Sequence, residues 1–105
     1  MREQTTKSDD AEVNREIHRF SMRALELAKK VVDGTVTAGD QAAARELAER
    51  LPAVAATSRE LSEAYRAGAN KALSEARLDL AYVAAGGGIP SSLRLGWYIK
   101  EQGEA

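Results

Sequence analysis

Val13, Ile17, Phe20, Ala24, Leu27 and Val31 recur at alternating spacings of four and three, which lays one apolar seam along a single face of a helix. Asp9 followed by Glu12 has the form of a capping arrangement and is expected to open this helix; Gly34, directly after Asp33, is expected to stop it. Residues 1–8 show no periodicity and nothing to bury. They are expected to form a disordered, solvated tail ahead of a single helical domain over 9–105.

Thr37 with Asp40 three residues later marks the start of a second helix, whose buried stripe is Ala44, Leu47, Ala48 and Leu51. Pro52 follows directly, yet the apolar phase Leu47, Leu51, Val54, Ser58, Leu61, Tyr65 passes through it without slipping. Proline restricts Leu51, and Thr57 with Glu60 forms a further capping signature. Three separate helices are therefore expected, the third from about Ser58 to Ala85, with a helical hairpin whose long arm kinks at Pro52 as the alternative. In the third helix Ala64, Gly68, Ala72 and Ala76 recur at steps of four, a small-residue stripe open to close crossing by the first helix or by a second copy of the chain. Leu78 and the run Leu80 to Ala85 are apolar on every side, so this helix end needs more than one neighbour.

Gly86, Gly87 and Gly88 end that helix, and Ile89-Pro90-Ser91-Ser92 leads into a final segment. There Leu93, Leu95, Trp97 and Ile99 alternate with Arg94, Gly96, Tyr98 and Lys100 as in a strand. A lone strand has no sheet to join, so a short helix capped by Ser91 or Ser92 is expected, with the strand as alternative. The fold class is thus all-α, a small three-helix bundle plus a short C-terminal element.

Composition narrows the picture. Of 105 residues 20 are Ala, so large apolar side chains are few, the core is thin, and a second copy of the chain is expected to complete it. With 15 basic and 16 acidic residues, bulk charge argues against nucleic acid as a partner. Zero Cys removes disulfides and thiolate chemistry and points to a reducing compartment. No apolar run reaches the roughly 20 residues of a membrane span, and the polar N-terminus lacks the form of a signal peptide. A cytoplasmic protein is expected, and the Ala, Arg, Glu and Gly usage fits a bacterial or phage source.

Little in the chain carries chemistry. His18 is the only histidine, and Arg15 stands where a di-iron bundle needs Glu, so neither metal nor cofactor is expected. The serines and threonines fall at caps and loops, without a base in a nucleophile motif, and an enzyme is not expected. Arg15, Arg19 and Arg23 form a basic stripe, but the spacing pairs Glu12 with Arg15, Glu16 with Arg19 and Glu46 with Arg50, as it pairs Arg59 with Glu63. One loop offers ligand chemistry. Gly86, Gly87 and Gly88 expose backbone N–H groups, Ser91 and Ser92 add hydroxyls at a helix start, and Arg94 adds charge, a coherent phosphate site that lacks the Lys and spacing of a P-loop.

Met22, Leu25 and Val32 give the first helix a second apolar face in its C-terminal half. In an up-down-up bundle that half shares a pole with Leu78, Tyr82, the glycine loop and Trp97-Tyr98, and these residues together with Gly68 are the candidate interface. The function expected from the sequence is a small homo-oligomeric helical interaction module, an accessory or regulatory factor that binds a protein partner. A protein sequestering a phosphate-bearing small molecule near Gly86–Ser92 is the alternative, and a DNA-binding regulator ranks third, because the Leu51–Ala56 connection is longer than a helix-turn-helix turn and lacks its glycine.

Overall fold

The apolar seam does what its spacing demands: Ile17, Phe20, Ala24 and Leu27 are buried, and Val13 and Val31 pack at the ends of the same core. In the computed structural model, which describes residues 2–58 and 63–104 and the side chains of 12–51, 63 and 66–103, four helices follow one another. These are α1 (Arg2–Asp33), α2 (Ala38–Ser58), α3 (Glu63–Ala85) and α4 (Leu93–Glu104), with no strand among the described residues. The fold is small and all-α, and the last segment is helix rather than strand.

The bundle runs up, down, up. The Ser21 hydroxyl donates to the Ala72 carbonyl at 3.4 Å, and ten residues further along α1 Val31 lies beside Gly87, so α1 and α3 are parallel. Gln41, near the start of α2, donates through Nε2 to the Val83 carbonyl at 3.2 Å near the end of α3, which makes α2 antiparallel to both. α1 packs chiefly on α3, through Ala69, Leu73, Ala76, Leu80 and Val83, and Ala44 and Leu51 of α2 close the core. Each buried Leu or Phe contributes roughly 2 kcal/mol of apolar transfer. α4 touches α1 and α3 but not α2, so it lies on the other side of the central pair.

Local signals set the ends. Gly34, at φ 77°, and Thr35 donate to Val31 and Lys30 in a Schellman turn; Gly86, at φ 71°, and Gly87 repeat it on Val83 and Tyr82. Thr37 and Asp40 cap α2 reciprocally: the Thr37 amide donates to Asp40 Oδ2 at 2.9 Å and the Asp40 amide to Thr37 Oγ1 at 3.1 Å. The Thr37 amide bond, aided by Lys30, holds the Asp40 carboxyl below the usual carboxylate range against partial desolvation.

Four expectations are corrected. α1 begins at Arg2, so Asp9 and Glu12 lie inside the helix and the segment drawn as a tail is helical; Arg, Glu, Gln and Lys are good helix formers, and extension of an existing helix is cheap. α2 continues through Pro52 to Ser58 and α3 starts at Glu63; residues 59–62 lie outside the described residues, among them Glu60 of the Thr57–Glu60 cap and Arg59 of the Arg59–Glu63 pair. Ala48 is exposed. Gly68 is exposed too, and a Cβ there would meet nothing within 4 Å, so α1 crosses instead at Ala69, Ala72 and Ala76, while the side chain of Ala64 lies outside the described set.

Candidate functional site

α4 is fixed to the bundle by a buried polar network. Ser92 caps the helix, its Oγ accepting from the Leu95 amide at 3.2 Å while its hydroxyl donates to Asp79 Oδ1. Arg94, two residues on, donates from Nε and Nη2 to Asp79 Oδ2 at 2.9 and 2.6 Å. The same guanidinium reaches α1, where Nη1 donates to Ser21 Oγ and Nη2 to the Ser21 carbonyl, both at 2.7 Å. Glu75 approaches Nε at 3.5 Å. Asp79, Ser92 and Ser21 are closed to solvent, and no buried polar side-chain atom among the described residues lacks a partner. A carboxylate at 0% exposure is tolerable only with such a partner set.

Next to this network Leu95 is fully buried, while the opposite face of α4 is open. Leu93 is 74% exposed and Trp97, one turn later, 59%. Lys100 Nζ lies 5.3 Å from the Trp97 ring centre. Tyr98 ties the helix to the end of α1: its phenol donates to Asp33 at 2.7 Å, a bond that pushes the phenol pKa up, and Lys29 Nζ sits 5.0 Å from its ring.

No protein-family model, curated protein or solved structure matches the chain. The candidate interface residues divide by exposure. Leu25, Val32, Tyr82 and Tyr98 pack at least partly against the core, whereas Met22, Leu78 and Trp97 stay exposed. Ile89, Leu93 and Ile99 are exposed as well, so among the described residues five of the six exposed large hydrophobics fall between Leu78 and Ile99 in sequence.

The phosphate loop loses its cation. Ser92 and Arg94 are engaged by Asp79, and with Glu75 beside them α3 presents two carboxylates to the one guanidinium. Gly86, Gly87 and Gly88, all at positive φ, turn the chain back toward Asp79, and Ser91 Oγ lies near Gly96. Asp79, Ser21 and Glu75 are absent from the candidates drawn from sequence. Among the described residues no three His, Asp or Glu side chains gather to hold a metal ion, and no helix is long and apolar enough to cross a membrane.

Proposed function

We propose that the protein is a small helical interaction module, an accessory or regulatory factor that binds another polypeptide and a second copy of itself through the outer face of α4. The observation that carries this reading is the exposure of Leu93 and Trp97, one turn apart, on a helix whose inner face is locked by Arg94 and Asp79. An aromatic carried on a preformed helix loses little conformational freedom on docking, which is the property of an interface anchor.

Trp97 is the only tryptophan, so its fluorescence reports on this surface alone. Sedimentation velocity and emission spectra over a range of concentrations are expected to show a dimer or higher oligomer forming as the emission moves to the blue. Trp97→Ala is expected to remain monomeric with an unchanged melting temperature. A monomer at every concentration, with Trp97 emission that stays solvent-like throughout, removes the reading.

A further inference from the structure

Sequence spacing pairs Glu16 with Arg19 and Glu46 with Arg50, but neither pair forms. Among the described residues Arg19 and Arg50 have no ion-pair partner, and Arg23 has only a 3.9 Å approach to the exposed Glu26. These three arginines instead line a groove between α1 and α2 of about 410 Å³, together with Glu16, Phe20 and Leu47. Phe20 is 7% exposed and Leu47 is partly buried, so the floor of the groove is apolar. It continues into a second concavity of about 270 Å³ lined by Arg23, Ala43, Glu46, Leu47 and Arg50.

The three guanidinium groups outnumber the two carboxylates of these concavities, Glu16 and Glu46, neither of which pairs with Arg19 or Arg50, and a multivalent oxyanion matches the remaining positive charge through paired N–H donors. The size of the ligand is set by the acids. At one end Arg15, which has an interaction of its own, shares its concavity with Glu12 and Glu16, and at the other Glu46 lies beside Arg23, so the stretch from Arg19 to Arg23 covers about one helical turn, roughly 6 Å along α1. A continuous polyanion would run onto glutamates on both sides; a compact phosphate would not. We infer that the α1–α2 groove binds a small phosphate-bearing molecule, with Arg19, Arg23 and Arg50 on the phosphate oxygens and its organic part against Phe20 and Leu47. This site is separate from the α4 face and from the Gly86–Ser92 loop.

The test is an amide NMR titration of the full chain with inorganic pyrophosphate and with AMP at constant ionic strength. Saturable shifts confined to residues 16–23 and 43–50 are expected, with AMP adding changes at Phe20 and Leu47. Arg19→Gln and Arg50→Gln should each weaken binding at least tenfold without moving the melting temperature. Shifts that do not saturate, that centre on Gly86–Arg94, or that survive both substitutions overturn the inference. A ten-nucleotide single strand that binds the same residues more tightly than AMP also overturns it, in favour of a polyanion.

Discussion

At the scale of single residues, Asp79 decides how the last helix sits. Its carboxylate is closed to water and receives both Ser92 and Arg94, so deleting one partner strands a charge, whereas deleting both removes the need for pairing. Arg94→Ala is expected to cost about 3 kcal/mol in urea unfolding, and Asp79→Leu combined with Arg94→Met to recover most of that loss. Equal losses for the single and double variants would mean that the network adds nothing beyond packing. Part of this was legible. Asp79 is the one acid in the apolar run Leu78–Ala85, and it falls in phase with Ala72, Ala76 and Val83, a position where a charge survives only with a partner. The partner was not legible, because helical spacing relates residues on one element and says nothing of Ser21, 73 positions from Arg94.

At the scale of elements, two glycines in open space separate backbone preference from packing. Gly68 is helical and exposed, and Gly88 stands at φ 79°; a Cβ would meet nothing within 4 Å at either position. Gly68→Ala is expected to stabilise the protein by about 1 kcal/mol and Gly88→Ala to destabilise it by a similar amount, both read from thermal or denaturant unfolding. Matching signs would show that the context of one of the two differs from its surroundings here. Helix stops and the Thr37–Asp40 start were readable from sequence because each depends on two or three adjacent residues. The passage of α2 through Pro52 was legible only as an alternative, since a missing N–H and a steric preference are local penalties whose outcome the rest of the fold decides. The same limit applies to the Glu16–Arg19 and Glu46–Arg50 pairs, each stabilising by only a few tenths of a kcal/mol and easily given up.

At the scale of the whole molecule, α1 and α3 form a central pair flanked by α2 and α4, which do not touch each other. α4 rests on α1 and α3 over a short stretch, with Leu95 as its buried apolar side chain among the described residues, so it should open separately. Hydrogen exchange is expected to show α4 amides less protected than those around Leu27 and Leu80, and Arg94→Ala to erase α4 protection while the α1–α3 core keeps most of its own. Equal protection throughout would make the fold a single cooperative unit. The up-down-up order and the shared pole followed from element lengths and short connections; the side of the central pair on which α4 lies followed only from tertiary contacts. The parallel pairing of α1 with α3 also bears on synthesis. Ser21 meets Ala72 across 51 positions, so the seam of α1 leaves the ribosome long before its partner exists. At about 5–20 residues per second, Ile17, Phe20 and Leu27 wait roughly 3–10 s for Leu73 and Leu80. During that interval the nascent chain presents the apolar stripe of α1 without its partner, which makes the stretch of synthesis between α1 and α3 the stage at which a holding chaperone has most to bind.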